Sequence, residues 1–170
     1  SEIHYDLTEV PCSAPSCGPN CECGRFLEIW NLVFMEYNKQ PQGDYDPLPS
    51  KNIDTGMGLE RTAMLLQGVG SIFDTDLVRP VLATGERLTG TTYGADERSD
   101  VALRILADHG RAMTFLISDG VVPSNEGRGY VLRRLIRRVV RHAWSMGAAD
   151  MATPALFDAT VEVMGDAYPA

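Results

Sequence analysis

The sequence predicts an α+β fold, with a strand-rich first part over residues 1–72 and a helical second part over residues 73–170. Two observations carry this. Residues 25–37 crowd Phe, Ile, Trp, Val and Tyr into one run, the composition of a long buried strand. Beyond Gly68 and Gly70 the apolar residues recur at helical spacing instead.

Taken in order, residues 1–6 read as a strand. Residues 7–24 read as a loop, punctuated by Pro11, Pro15, Gly18, Pro19 and Gly24. The strand at 25–37 is followed by a turn over 38–47 around Pro41, Gly43 and Pro47, and by a short strand at 49–54. A helix is expected over 57–67, with Leu59, Ala63 and Leu66 on one face, ended by Gly68 and Gly70. Asp74 and Asp76 precede an apolar-periodic run to about residue 89. Residues 99–118 repeat the pattern with Val101, Leu103, Ile105, Leu106 and Phe115. A loop over 119–127 leads to an arginine-rich helix at 128–146, and Thr153-Pro154 reads as the N-cap and first-turn proline of a last helix.

Composition is ordinary for a globular chain of 170 residues, 44% hydrophobic and 22% charged. No apolar run approaches the roughly 20 residues a membrane span needs. The chain starts at Ser1 with no signal pattern and is expected to be an internal piece of a longer cytoplasmic protein. A net charge of −8 argues against an indiscriminate nucleic-acid coat. The distribution adds a qualification. Arg128, Arg133, Arg134, Arg137, Arg138 and Arg141 fall in one segment with no acid between its ends. An ordinary solvated helix face mixes signs, so an unpaired arginine stripe favours one oriented phosphate contact. Val131, Leu132, Leu135, Ile136, Val139 and Val140 are expected to pack inward beneath it.

The densest chemistry lies in Asp54-Thr55-Gly56-Met57-Gly58-Leu59-Glu60-Arg61. Two glycines leave backbone open to a close ligand. A helix start offers N–H groups and a positive dipole end. Arg61 adds a permanent fork-shaped charge suited to phosphate, and Asp54 suits the ammonium of an amino acid. Along the preceding strand, alternation puts Glu28, Trp30 and Leu32 on one face and Asn31 and Val33 on the other. Glu28 and Asn31 could therefore share a Mg²⁺ ion only if a bulge or twist brought them together.

The octapeptide resembles motif 3 of class II aminoacyl-tRNA synthetases, in their alanine-specific family. Phe26 to Met35 is similar to the strand before that motif, and Ser1 to Asp6 to the strand upstream. Pro123-Ser124-Asn125-Glu126 with Arg128 to Arg134 resembles the family's tRNA-recognition segment. Four motifs in family order cover nearly the whole chain. The resemblance implies the C-terminal part of an antiparallel-sheet catalytic domain, followed by an incomplete helical tRNA-recognition domain. It implies ATP-dependent activation of L-alanine to the adenylate and its transfer to the 3′ end of tRNA(Ala), with ATP and Mg²⁺ as cofactors. Motifs 1 and 2 would lie upstream, so this piece alone is expected to be inactive.

By the same resemblance, Asp54 would hold the alanine ammonium, with Gly56, Trp30 and Val33 around the small side chain. Arg61 would meet the ATP γ-phosphate, with Gly58, Glu28 and Asn31 on the ATP and Mg²⁺ side. Asn125 would read the acceptor-stem wobble pair, because an amide both donates and accepts and the RNA minor groove is accessible. Arg128, Arg133, Arg134, Arg137 and Arg138 would contact tRNA phosphates. A non-catalytic RNA-binding paralogue is the rival from another class.

Cys12, Cys17, Cys21 and Cys23 share one loop. They fit either a small zinc knot or free thiols, since the C-x4-C-x3-C-x-C spacing is not a strong zinc pattern. A zinc-stabilised interaction module is a third functional class on that basis. The family's own zinc site lies in a later editing region. His4, His109 and His142 are scattered, and none is assigned a catalytic role. Gly110 in a helix interior should cost roughly 1 kcal/mol against alanine.

Overall fold

Three strands form an antiparallel sheet in the order β1 (Glu2–Asp6), β2 (Phe26–Lys39) and β3 (Tyr45–Met57). The computed structural model describes every residue except 9, 11, 15 and 170. The chain divides into two units, Ser1–Gly68 and Val69–Ala170. The first holds this sheet and helix α1 (Leu59–Gln67). The second holds a short 3-10 turn at Ile72–Asp74 and helices α2 (Arg79–Thr89), α3 (Glu97–Ser118), α4 (Gly127–Ser145) and α5 (Ala152–Met164).

Several sequence expectations need correction. The third strand is much longer than 49–54, and it runs through Asp54, Thr55, Gly56 and Met57. Only Gly58 separates it from α1, so the motif is a strand end and not an open glycine turn. Pro47 lies inside β3, opposite Tyr37 beside a register shift, the kind of place where a missing N–H is tolerated. The turn itself closes at 40–44, where the Gln40 amide donates to the Asp44 carbonyl. The second strand is not buried along its length, since Val33, Phe34, Met35 and Tyr37 are exposed. In α1 the buried residue is Met64, while Leu59 and Leu66 are exposed. The helix does stop where expected, at Gly68 in the left-handed region.

The helical unit owns the core. Leu82, Leu103, Leu106, Met113, Leu132, Val139 and Leu156 are fully buried and come from all four long helices. Gly110 is explained by this packing. A Cβ there would stand 3.2 Å from Cβ of Leu156, so glycine lets α3 and α5 approach closely. Asp96 caps α3 by accepting from the Ser99 amide. Thr153 does not cap α5. Met151 holds that position, and Pro154 lies in the first turn, where its missing N–H costs nothing. No helix is long and apolar enough to cross a membrane among the described residues.

Candidate functional site

The pairing of β1 with β2 breaks step once. Ile3 faces Trp30 and His4 faces Glu28, which leaves Ile29 as an extra residue on β2. This is the bulge that alternation required. It sets Glu28 on the same face as Asn31, and the Asn31 amide nitrogen donates to Glu28 Oε1 and to Glu2 Oε1, each at 3.1 Å. His4 joins them, with Nε2 3.6 Å from Glu2 Oε2. One ligand atom from each of Glu2, His4 and Glu28 fits within a 4.8 Å cluster. Glu2 belongs to this cluster although the sequence alone does not single it out, because only register brings it there.

Across β2 and β3, Asn31 pairs with Gly56 and Val33 with Asp54. Directly opposed residues share a face, so Asp54, Gly56, Val33, Asn31 and Glu28 lie on one side of the sheet. Trp30 does not. It pairs with Met57 on the other side, and its indole N–H donates to the Thr55 hydroxyl. The expectation that Trp30 lines the Asp54–Gly56 side is thereby corrected, as strand alternation alone separates them.

Gly58 is tied into the sheet. Its N–H donates to the Ile29 carbonyl at 2.9 Å, so that amide is spent inside the protein. A Cβ on Gly58 would stand 3.3 Å from Arg61 Cδ. The glycine therefore gives room to Arg61, whose Nη1 donates to the Glu28 carbonyl at 2.6 Å. Arg61 is exposed, and its guanidinium starts from the backbone that carries the Glu28 carboxylate.

The loop between β1 and β2 is closed at its base by Arg25, which donates to both carboxylate oxygens of Asp6, 2.6 Å from Nε to Oδ1. That contact holds the Asp6 carboxyl below its ordinary range. Above it, one sulfur from each of Cys12, Cys17, Cys21 and Cys23 falls within 4.8 Å of the others. The Ala14 amide pulls the Cys12 thiol down, but the Cys21, Cys17 and Cys23 sulfurs and burial outweigh it and push it to about 11. The Cys12 amide, helped by Arg25, holds Cys17 below its ordinary value.

In the helical unit, Ser124 Oγ donates to the Glu126 carbonyl, and Asn125 between them is exposed. The loop leans on α4 through Gly129, where a Cβ would meet Ser124 Oγ and the Val122 carbonyl at a prohibitive 2.3 Å. Arg128, Arg133, Arg134, Arg137 and Arg138 are exposed. Val131 and Val140 are exposed beside them, against expectation, because Leu132, Val139 and Ala143 suffice to fill the core side. Tyr130 and Trp144 are exposed too, Trp144 to 78%. With the arginines they line an open groove of about 690 Å³. The steps 130, 134, 137, 141 and 144 follow one helical face, a signal present in the sequence but not drawn from it.

Carboxylate and amide groups thus share one sheet face, Arg61 is anchored on the Glu28 backbone, and the helical unit separately presents an arginine face. The family model for tRNA synthetases class II (A) matches residues 1–170, and the chain belongs to that family. It is similar to the alanine–tRNA ligases of Thermoanaerobacter pseudethanolicus and Carboxydothermus hydrogenoformans, each 52% identical over 99% of this chain and 19% and 20% of the relatives. It is 53% identical to that of Desulforudis audaxviator over 99% of the chain and 19% of the relative. The chain thus spans about one fifth of the length of the curated relatives it matches.

Proposed function

We propose that this chain supplies part of the adenylation site and part of the tRNA-recognition surface of an alanine–tRNA ligase of the cytoplasm. The supporting observation is the continuity of one cluster. Arg61 rests on the carbonyl of Glu28, the Glu28 carboxylate accepts from Asn31, and Asn31 lies opposite Gly56. Phosphate, cation and amino-acid groups are then held by adjacent backbone, so positioning comes from the sheet itself.

In the reaction, the carboxylate of L-alanine attacks the α-phosphorus of ATP. The P–O bond to pyrophosphate breaks, giving alanyl-adenylate. A hydroxyl at the tRNA 3′ end then takes the alanyl group and AMP leaves. Asp54 holds the ammonium by charge, and Gly56, with open space where a side chain would stand, leaves room for the alanine methyl. Arg61 carries the γ-phosphate on a guanidinium charged at every working pH. The donor set of Glu2, Glu28 and Asn31 fits Mg²⁺, which prefers oxygen ligands shared with phosphates. When bound, Mg²⁺ neutralises phosphate charge. The Asn31 amide N–H groups bridge the two carboxylates, so an ion held between them would need the amide to turn and offer its carbonyl oxygen.

The Val69–Ala170 unit would contact the acceptor stem of tRNA(Ala) through Asn125 and the α4 arginines. A purely RNA-binding role is not favoured, because it has no use for Asp54, Gly56 and Arg61 together. The test grafts this chain into the matching segment of the Thermoanaerobacter ligase and measures alanine-dependent ATP–pyrophosphate exchange. Exchange that prefers alanine over serine and glycine supports the assignment. A folded graft with no exchange would falsify it.

A further inference from the structure

The loop joining β1 to β2, residues 7–25, contains no helix or strand among its described residues. Loops of this length inside a folded unit are uncommon unless something holds them. Among the described residues its backbone bonds are local or at the base: the Leu7 amide on the Arg25 carbonyl, the Cys21 amide on the Gly18 carbonyl, and the Thr8 and Val10 amides on the Asp6 and Thr8 side chains. What converges instead is sulfur. Cys12 and Cys21 Sγ are 3.5 Å apart, and one sulfur from each of the four cysteines falls within 4.8 Å of the rest.

Four thiolates around Zn²⁺ at about 2.3 Å form a tetrahedron with sulfur–sulfur edges of about 3.8 Å. The cysteines are already gathered to about that spacing, so an ion could enter with small side-chain adjustments. The gathering is also too tight to enclose a cluster of several irons, and it leaves room for one ion. Thiolates are soft ligands, which selects zinc over the Mg²⁺ of the carboxylate site. Charge is arranged to match. Zinc with four thiolates carries a net −2, and Arg25 Nη1 lies 3.9 Å from Cys17 Sγ while Asp6 fixes the guanidinium from behind. Cys12, Cys17 and Cys21 are half-buried and Cys23 is exposed, which gives the ion a way in.

We propose that Cys12, Cys17, Cys21 and Cys23 bind one structural zinc ion that pins the β1–β2 loop, with Arg25 as an outer partner to the thiolates. Four protein ligands close the coordination sphere, so the ion serves structure and not catalysis. Its mechanical effect falls on the two strands the loop connects. Those strands carry Glu2, His4, Glu28 and Asn31, and the zinc holds their bulged register.

The test is metal analysis and Co²⁺ titration of the full chain, purified under reducing conditions. About one zinc per chain is expected. Co²⁺ added to the stripped protein should give intense thiolate charge-transfer absorption and the visible bands of a tetrahedral site. Cys23→Ser, at the exposed position, should weaken Co²⁺ at least tenfold and reduce the charge-transfer intensity. Arg25→Leu should weaken it by roughly 10–100-fold while the four-thiolate spectrum survives. Folded wild-type chain that is metal-free and gives no such spectrum overturns the proposal, and so does bound polynuclear iron or recovery of the cysteines as disulfides. The wild-type spectrum needs no variant to fold. Its failure would leave the ligase assignment intact, since that is read by pyrophosphate exchange.

Discussion

Asn31 donates an amide hydrogen to Glu28 at 3.1 Å, although the two are three residues apart on a strand and regular alternation would set them on opposite faces. The extra residue Ile29 reconciles them. Asn31 also donates to Glu2, so a single amide separates two carboxylates. Asn31→Ala removes that spacer and leaves the acids facing each other. The expected loss is about 1 kcal/mol in the absence of divalent ions. Adding Mg²⁺ should return part of it by bridging the carboxylates. Thermal melts with and without Mg²⁺ read this directly, and a variant that melts like the parent in both would break the link.

Arg61 combines a structural anchor with a charge. Its Nη1 is committed to the Glu28 carbonyl, and the rest of the planar fork is offered outward. Arg61→Ala in the grafted ligase should lower pyrophosphate exchange by on the order of 10²-fold, the usual loss for a preorganised electrostatic donor. Arg61→Lys keeps the charge and loses the fork, so it should restore only part of the rate. Because the side chain is exposed, both variants should melt within a few degrees of the parent. Full rescue by lysine would mean that charge alone matters and that the anchor on Glu28 is incidental.

These cases show which features were legible in the sequence. Helix order, the Gly68 stop and the arginine run follow from periodicity and capping, which act locally. The condition attached to Glu28 and Asn31 was legible as well, because alternation is strict enough to show that something must break it. What broke it was not legible. The Ile29 bulge depends on pairing with Ile3 and His4, which lie far back in the chain. Trp30 shows parity prevailing over the resemblance, since alternation already places it on the face opposite Val33 and its pairing with Met57 keeps it there. The bond from the Gly58 N–H to the Ile29 carbonyl was not legible either, because only the sheet register supplies that partner. Gly110 is unfavourable by local propensity, and only its distant neighbour Leu156 accounts for it.

Gly129 supports the loop that displays Asn125. A Cβ there meets Ser124 Oγ and the Val122 carbonyl at 2.3 Å, and backbone on one side cannot yield cheaply. Gly129→Ala should push residues 122–124 away from α4 at a cost of roughly 1–3 kcal/mol. Circular dichroism should retain its helical signal, because the four-helix core is not touched. Acceptor-stem binding should weaken far more than the stability loss alone explains. Equal affinity of the variant and the parent for the stem would mean that loop geometry does not matter to recognition.

The groove on α4 interleaves Tyr130 and Trp144 with Arg133, Arg134, Arg137 and Arg141. Arginine supplies counterion release, and an exposed indole supplies a stacking face. Replacing Arg134 or Arg137 by Gln should lower the slope of log affinity against log salt by about 1 each. Trp144→Ala should leave the slope unchanged and cost about 1–3 kcal/mol if a base stacks there. Titrations at several salt concentrations separate the two effects. An unchanged slope for both arginine variants would remove this face from the RNA contact.

His142, on the same helix, provides a pH test that is independent of ligands. Burial disfavours its charged form, and Arg138, Arg141 and His109 add repulsion, so its pKa is lowered from the ordinary 6.5. A histidine with a lowered native value binds fewer protons folded than unfolded. Its contribution is complete above the unfolded pKa and is lost as pH falls through the native one. Stability of the chain should therefore decline between roughly pH 7 and pH 5. Glu86, held below its ordinary value by Arg79 and the Tyr93 amide, loses its share in the same direction only near and below its own ordinary 4.5. The two windows can thus be separated by choosing pH. Urea midpoints for the parent should fall over the upper window, and His142→Gln should flatten that decline while leaving the lower one in place. If the substituted chain loses stability over the upper window as steeply as the parent, another group drives the acid sensitivity.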